Sequence, residues 1–258
     1  MFRKILIANR GEIAVRIIRA ARELGIDTVA VYSTADKEAL HTLLADEAVC
    51  IGPAKSTDSY LNMNAVLSAA VLTGAEAIHP GFGFLSENSK FATMCEEVGI
   101  KFIGPSGAVM DLMGDKINAR AQMIKAKVPV IPGSDGEVHT SEEALEVAEK
   151  IGYPVMLKAS AGGGGKGIRK VEKAEDLVAA FESASSEAKA AFGNGAMYME
   201  RVIYPARHIE VQILADQQGH VVHLGERDCS LQRNNQKVLE ESPSVAIGKT
   251  LRQQIGEA

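Results

Sequence analysis

The chain has 258 residues, of which 46% are hydrophobic and 24% are charged, and its formal net charge is -5. This length suits about two domains with cores of their own, and the apolar content excludes a disordered chain. The acidic balance offers no positive field to a nucleic acid or an anionic membrane surface. The longest apolar run, at residues 65–73, is far shorter than the ~20 residues of a membrane-spanning helix.

The N-terminus and the cysteines indicate the cellular compartment. Residues 1–7 lead directly into a strand pattern, without the apolar segment and cleavage site of a secretory signal. Cys50, Cys95 and Cys229 lie far apart and form no spacing typical of disulfides or zinc sites. The sequence therefore predicts a cytoplasmic protein with buried free thiols.

Short apolar runs alternate with amphipathic patterns over the first hundred residues. The runs predict strands at residues 4–8, 28–32, 47–51, 75–79 and 101–103. The amphipathic patterns predict helices at residues 12–24, 61–72 and 86–98. Such alternation predicts an α/β domain at residues 1–113, with a Rossmann-like parallel sheet and helices on both faces. Because its first strand-to-helix turn contains only Gly11, the turn lacks the three glycines of a dinucleotide-binding fingerprint.

The second half of the chain reads as an α+β region. Prolines and a glycine at residues 128–133 indicate a linker, placed at residues 114–133, and helical patterns precede them at residues 107–113 and 115–125. Thr140 or Ser141 is expected to cap the next helix. Strands are then predicted at residues 153–158, 168–171, 197–200, 208–216 and 220–226, with a helix at residues 174–190. We predict a lid domain at residues 134–203 and the start of a further subdomain at residues 204–258.

A run of four glycines at residues 162–165 is the sharpest chemical signal. It lies between two predicted strands, with Lys158 and Lys166 on either side. Glycine backbone N–H groups can approach phosphate oxygens without obstruction by a Cβ atom, and the lysines add positive charge. The run is not a Walker A loop, because the stretch from Gly162 to Gly167 is followed by Ile168 and Arg169, where that motif requires Lys and then Ser or Thr. A flexible linker is the alternative, and it fits poorly between two strand patterns.

Four motifs in order carry a resemblance to a known family. Residues 153–160 (YPVMLKAS), with the glycine run that follows, resemble the nucleotide-binding signature of the ATP-grasp ligases. Residues 7–14 (IANRGEIA), 77–88 (AIHPGFGFLSEN) and 225–232 (GERDCSLQ) narrow the resemblance to the biotin carboxylase family. Together these motifs span the chain.

The resemblance implies both a reaction and its partners. ATP with Mg²⁺ would phosphorylate bicarbonate to carboxyphosphate, whose carboxyl group then passes to biotin, which is a substrate. A glycine-rich lid would exclude water from the short-lived intermediate. The implied partners are a biotin carboxyl carrier protein and carboxyltransferase subunits. The implied setting is a homodimer acting in the first half-reaction of acetyl-CoA carboxylase, in fatty acid synthesis.

The resemblance also implies roles for individual residues. Those expected to bind ATP are the phosphate lysines Lys116 and Lys158, the lid residues Gly164 and Gly165, the adenine hinge of Glu200, Arg201 and Ile203, and His208 and Gln232 near the ribose and phosphates. Lys237 matches the catalytic lysine that holds bicarbonate, a compact cation for a small anion.

A second set of residues is expected to border the biotin and bicarbonate site. This loop contains His79, Phe82, Gly83 and Glu87, with Glu87 expected at the start of the next helix. Phe82 replaces the tyrosine that is common in the family and so loses a hydroxyl contact. Asn235 stands where histidine is frequent, which makes it a weaker candidate for nucleotide contact because an amide carries no positive charge.

The metal ligands of the family are not found in this sequence. No Glu-x-Asn element occurs, so the Mg²⁺ carboxylates are expected beyond Ala258 and no metal site is assigned. Glu240 and Glu241 are consecutive on a predicted strand and point to opposite faces, which favours solvated charge. We therefore expect a truncated, catalytically inactive form.

Three alternatives to a biotin carboxylase subunit remain. They are a non-catalytic nucleotide-binding module, the biotin carboxylase domain of a pyruvate or acyl-CoA carboxylase, and another ATP-grasp ligase. The motifs at residues 79–88 and 225–232 argue against the last of these.

Overall fold

The computed structural model describes residues 1–114, 116–160, 167–233 and 236–258, including all their side chains except those of Lys116 and Ile117. The chain divides into two compact units, Met1–Ala119 and Arg120–Ala258. Within the described part, no helix has both the length and the apolar character needed to cross a bilayer. The finer division into a linker and two subdomains stays a prediction.

The first unit contains the alternating strands and helices that the sequence predicts, with small shifts at their ends. Its elements are β1 (Lys4–Ile7), α1 (Gly11–Glu23), β2 (Asp27–Ser33), α2 (Leu40–Leu44), β3 (Glu47–Gly52), α3 (Met63–Thr73), β4 (Ala77–His79), α4 (Ser89–Glu97), β5 (Lys101–Phe102) and α5 (Gly107–Gly114). The strands form a parallel sheet in the order β3-β2-β1-β4-β5. The chain reverses its direction of travel across the sheet between β1 and β4, and such a switch point is where open α/β sheets bind ligands.

Helices cover both faces of this sheet, as predicted. Along β1, Ile7 packs with Ala14 and Ile18 of α1, whereas Leu6 faces a larger cluster that includes Phe91 of α4. Successive residues of a strand point to opposite faces, so each face of β1 has an apolar cover.

The second unit contains two antiparallel sheets. Its elements are α6 (Lys116–Lys125), whose start belongs to the first unit, α7 (Ser141–Ile151), β6 (Val155–Ala159), β7 (Arg169–Val171), α8 (Leu177–Phe192), β8 (Met197–Arg201), β9 (Ile209–Ala215), β10 (Val221–Arg233), β11 (Gln236–Glu241) and α9 (Lys249–Glu257). The sheet orders are β7-β6-β8 and β11-β10-β9. Helices α7 and α8 pack on the first of these sheets, around a core that includes Leu157, Phe181 and Met199.

The structure corrects one expectation about the thiols and settles another about a helix cap. Cys95 and Cys229 are buried, but Cys50 is exposed because it lies on β3, the outer strand of the parallel sheet. The cap of α7 is Thr140, whose hydroxyl accepts a hydrogen bond from the amide of Glu143.

Candidate functional site

Lys158 and Glu200 form an ion pair on one face of the β7-β6-β8 sheet. The Nζ atom of Lys158 lies 2.5 Å from Oε2 of Glu200, and both side chains are partly buried. Lys158 is paired with Tyr198, and Met156 with Glu200, so Lys158 and Glu200 are diagonal neighbours on adjacent strands. Alternation along β6 buries Val155 and Leu157 and leaves Lys158 on the opposite face. The cation is thus fixed four residues before the glycine run, which begins at Gly162.

The predicted adenine hinge is the place where β8 leaves this sheet. The amide of Arg201 donates to the carbonyl of Pro132 at 2.8 Å, and the amide of Val202 donates to the carbonyl of Pro154 at 2.8 Å. Ile203, the next residue, is exposed. These bonds hold the backbone of the hinge between two other segments of the second unit.

Four residues that are predicted to contact the nucleotide lie wholly or partly outside the part of the chain that the structure describes. Gly164, Gly165 and Asn235 lie outside the described residues. Lys116 begins helix α6, but its side chain is likewise outside the description. Their roles stay predictions.

A cluster of charges on the β11-β10-β9 sheet surrounds Lys237. Glu210 on β9 accepts hydrogen bonds from Lys237 on β11 and from Nε of Arg227 on β10, the latter at 2.7 Å. These cations, Lys237 foremost, lower the pKa of Glu210 to about 2. The Glu210 carboxylate in turn raises the pKa of Lys237. Lys237 is therefore held in its charged form.

His208 and Gln232 border the same cluster. The amide nitrogen of Gln232 lies 3.3 Å from Nδ1 of His208 and donates to the carbonyl of Cys229 at 3.0 Å. Nε2 of His208 lies 3.6 Å from the carboxylate of Glu210. Of the predicted residues, His208 and Lys237 thus contact Glu210, and Gln232 contacts His208.

Glu210 and Arg227 received no role from the sequence. The available signal is the alternation along the strand predicted at residues 208–216, where His208, Glu210 and Gln212 share a face. Arg227 contacts this face because β10 pairs with β9, so that Arg227 lies opposite Glu210. The strand register was needed to bring these side chains together.

The carboxylates of the motif at residues 225–232 support the fold. Glu226 is buried and accepts hydrogen bonds from Nε of Arg252 at 2.6 Å and from the amide of Ser244 at 3.1 Å. Asp228 is also buried and accepts from the hydroxyls of Ser230 and Ser244. These bonds attach α9 and the segment before it to β10.

One group of described side chains has the spacing of a cation site. Ligand atoms of Glu210, Cys229 and Glu240 lie within 4.8 Å of one another. The set does not suit Mg²⁺, which prefers oxygen ligands, because burial raises the pKa of the Cys229 thiol and Glu210 is already neutralised by two cations. Glu240 is exposed, in keeping with the solvated charge that the sequence predicts.

The predicted substrate loop follows β4 in the first unit. Nδ1 of His79 accepts a hydrogen bond from the amide of Gly81 at 3.1 Å, and burial lowers the pKa of this histidine. Phe82 is 80% exposed, and Gly83 has a positive φ of 72°. The expectation for Glu87 is wrong: α4 begins at Ser89, and the side chain of Asn88 caps it by accepting from the amide of Phe91.

Comparisons with known proteins cover both units. Residues 1–110 match the family described as "Biotin carboxylase, N-terminal domain". Residues 115–258 match the family described as "Carbamoyl-phosphate synthase L chain, ATP binding domain". Over 258 residues the chain is 57% identical to biotin carboxylase 1 of Bacillus subtilis, of which it covers 57%.

Solved structures give the same result. A biotin carboxylase–β,γ-ATP complex from Campylobacter jejuni is 53% identical, with a TM-score of 0.90, over 100% of this chain and 58% of that one. The biotin carboxylase domain dimer of Hydrogenobacter thermophilus 2-oxoglutarate carboxylase, in complex with MgADP, ADP and bicarbonate, is 52% identical. Its TM-score is 0.88, over 100% of this chain and 56% of that one. The chain spans about half the length of the curated relatives it matches.

Proposed function

Because the chain belongs to the biotin carboxylase family, we propose that it takes part in the ATP-dependent carboxylation of biotin with bicarbonate, through carboxyphosphate. The first unit has the fold of the family's N-terminal domain, and the second contains the ATP-grasp sheets. The observation that carries the proposal is the ion pair of Lys158 with Glu200, on adjacent strands beside the hinge.

Lys158 binds the ATP phosphates in this proposal. Its Nζ atom is fixed by Glu200, so little side-chain freedom is lost when a phosphate oxygen arrives. A preorganised cation stabilises the charge that develops during phosphoryl transfer more effectively than a mobile one. Adenine then lies against the backbone at Glu200 and Arg201 and the exposed side chain of Ile203.

Lys237 binds bicarbonate in this proposal. Glu210 keeps the lysine protonated and oriented, and Arg227 offsets the negative charge of Glu210. The resulting Glu210–Arg227–Lys237 cluster carries one net positive charge, which suits a small anion. His208 and Gln232 lie at its edge, where the ribose and phosphates are expected.

Mg²⁺ neutralises charge on the ATP phosphates when it is bound. Since Glu210, Cys229 and Glu240 do not suit this ion, we place no metal ligand among the described residues.

The partners follow the family. The relative from Hydrogenobacter thermophilus is a dimer in complex with bicarbonate. We propose a homodimer that carboxylates biotin on a biotin carboxyl carrier protein. Carboxyltransferase subunits then pass the carboxyl group to acetyl-CoA for fatty acid synthesis in the cytoplasm.

The same relative favours a second candidate function. It is the biotin carboxylase domain of a 2-oxoglutarate carboxylase and is 52% identical to this chain. The proposed half-reaction is the same in either setting, and only the final acceptor of the carboxyl group differs.

ATP binding by the 258-residue chain is the first test. We expect calorimetric titration with MgATP to give saturable binding, which Lys158→Ala weakens by at least about tenfold through loss of a charge-assisted contact. Lys150→Ala is the matched control, because Lys150 is exposed and pairs only with exposed Asp135 among the described residues. Absence of binding, or equal effects of the two substitutions, would overturn the nucleotide role.

Turnover is the second test. ADP release from MgATP should be measured with bicarbonate, with and without free biotin. We expect ATP binding without turnover, because we place no Mg²⁺ ligand among the described residues. Biotin-stimulated release would support the reaction and contradict the expectation that this sequence lacks the Mg²⁺ carboxylates.

A further inference from the structure

The loops that follow β1 and β4 meet at the switch point of the parallel sheet. Asn9 follows β1 and is only 3% exposed, although it is polar. Its side chain contacts Pro80 and Phe82, which lie in the loop after β4 that is assigned to biotin and bicarbonate. A buried amide at a switch point is expected to have a bonding role.

The side-chain amide of Asn9 donates both of its hydrogens to this loop. Its amide nitrogen donates to the carbonyl of Pro80 at 2.8 Å and to the carbonyl of Phe82 at 2.7 Å. Its Oδ1 atom accepts from the amide of Arg10 at 2.9 Å. Two donors and one acceptor in this arrangement fit asparagine, whereas an ionised aspartate would direct a charged oxygen at two carbonyl oxygens.

The backbone of the loop closely approaches the side chain of Asn9 at Gly81. Gly81, between the two accepting carbonyls, has a φ of +65°. A Cβ atom there would lie 2.7 Å from Nδ2 of Asn9 and 2.8 Å from Cγ2 of Ile13. The positive φ and this close approach both require glycine.

A second contact holds the far side of the loop. The ring of Phe84 stacks on that of Tyr60 at 5.0 Å. The Tyr60 hydroxyl donates to Asp36 at 2.7 Å, and Asp36 in turn pairs with Arg10. Phe84 has a φ of 46°, in the left-handed region that non-glycine residues rarely adopt, so its position depends on these contacts. Exposed Phe82 is thus presented between two anchors.

We infer that Asn9 is a positioning residue for the substrate loop. Its two hydrogen bonds fix the Pro80–Phe82 turn, so that the Phe82 ring and the Gly83 backbone face the substrate in one conformation. This inference rests on the proposed function for the identity of the substrate, an apolar bicyclic ring with a ureido group. The anchoring itself rests only on the contacts of the first unit.

Amide hydrogen exchange of the loop tests the anchoring. The reporters are the amides of Gly81, Ser86 and Asn88, which donate to Nδ1 of His79 and to the carbonyls of Gly83 and Leu85. We expect Asn9→Asp to accelerate their exchange by at least about tenfold, while amides in β1 and β4 exchange as before. Asn9→Ala, which removes the donors without adding charge, should act in the same direction and serves if Asn9→Asp does not fold.

Asn62→Asp is the matched control. It makes the same substitution in the same unit, but Asn62 is a helix cap whose Oδ1 only accepts from the amide of Ala65. Aspartate serves equally well there, so loop exchange should not change. Unchanged loop exchange in both Asn9 variants would overturn the inference. An equal rise over the whole first unit would also overturn it, because Asn9 would then serve only general stability.

Ligand measurements separate this inference from the proposed function. In the proposed function MgATP binds to residues at positions 116–237, outside the loop that Asn9 anchors, so MgATP affinity should be unchanged in Asn9→Asp. If the unsubstituted chain binds no MgATP, the nucleotide role fails, while loop exchange still decides the role of Asn9. Where biotin stimulates ADP release, Asn9→Ala should raise KM for biotin and leave KM for ATP unchanged; a rise in both would contradict a role confined to the loop.

Discussion

The parallel sheet of the first unit and the β11-β10-β9 sheet of the second differ in how their apolar side chains are covered. Leu6 at the centre of the parallel sheet is 0% exposed, whereas Leu214 on β9 is 59% and Leu224 on β10 is 65% exposed. The first sheet is stabilised by helices packed on both faces. The second depends more on its hydrogen-bonded ladders and on the Glu210–Arg227–Lys237 cluster. The two sheets thus depend on different interactions.

Truncation of one leucine in each sheet tests this difference most strongly. Leu6→Ala should lower the free energy of unfolding by about 2–5 kcal/mol, since it removes packed methyl groups and leaves a cavity. Leu214→Ala should change it by less than about 0.5 kcal/mol, because the side chain is largely solvated already. Urea denaturation followed by circular dichroism measures both. Similar losses would contradict the comparison.

Glycine substitution extends the test to the backbone. Gly52 at the end of β3 has a φ of +146°, and a Cβ atom there would lie 2.2 Å from the carbonyl oxygen of Asp58. Gly225 on β10 also has a positive φ, +88°, but nothing lies within 4 Å of such an atom. We expect Gly52→Ala to cost about 2–4 kcal/mol of unfolding free energy, from strain and overlap together.

Gly225→Ala is the control for backbone strain without overlap. It should cost only about 1 kcal/mol, for the left-handed backbone alone. Thermal unfolding of both variants ranks them. A larger loss from Gly225→Ala would show that the open sheet is packed more tightly than its geometry indicates.

Acid titration tests the contribution of charge to the second sheet. Lys237 and Arg227 lower the pKa of Glu210 to about 2 from an ordinary value of 4.5. A carboxyl with a lowered pKa stabilises the fold above pH 4.5, and this stabilisation disappears as the pH falls from 4.5 towards 2. Glu210→Gln should therefore cost about 2 kcal/mol at pH 7, allowing for solvent screening, and nearly nothing at pH 2.

Urea titrations of both proteins across this range measure the difference. Glu240→Gln is a suitable control, because Glu240 lies 3.9 Å from Arg227 and is more exposed. A difference between the unsubstituted protein and Glu210→Gln that persists at pH 2 would mean that packing, not charge, explains it.

The sequence predicted the fold better than the site. Apolar runs and amphipathic patterns predict the strands and helices of the parallel sheet. Both faces of that sheet are buried, so its strands must be apolar along their length and its helices must be apolar on one side, and both patterns are visible in a short stretch of sequence. The sequence does not predict helix α2, at Leu40–Leu44, because five residues are too few to show a helical periodicity. The sequence pattern extends α4 back to residue 86 and so includes Glu87, whereas the cap by the Asn88 side chain starts the helix at Ser89.

The functional residues also fall into two groups, those that sequence motifs indicate and those that only long-range contacts reveal. Lys158, Glu200 and Lys237 were proposed from motifs that resemble a family. Glu210 and Asn9 were not proposed, since a lone carboxylate or amide looks like a solvated residue until strand pairing places its partners. Residues that act through others are identified by long-range contacts, which local sequence patterns do not contain.

The smallest expected effect concerns the N-terminal cap of α7. This helix packs against a sheet of the second unit, as helices do against the parallel sheet of the first. Thr140 accepts from the amide of Glu143, whose carboxylate accepts from the amide of His139, a reciprocal cap for α7. Thr140→Ala should cost about 1 kcal/mol of unfolding free energy. Ser141→Ala should cost almost nothing, since the described bond of Ser141 is an exposed contact with Glu142 at 3.3 Å. Equal losses of unfolding free energy in the two variants would contradict the assignment of Thr140, rather than Ser141, as the cap. A negligible loss from Thr140→Ala would mean that packing against the β7-β6-β8 sheet alone holds α7, as helix packing does in the first unit.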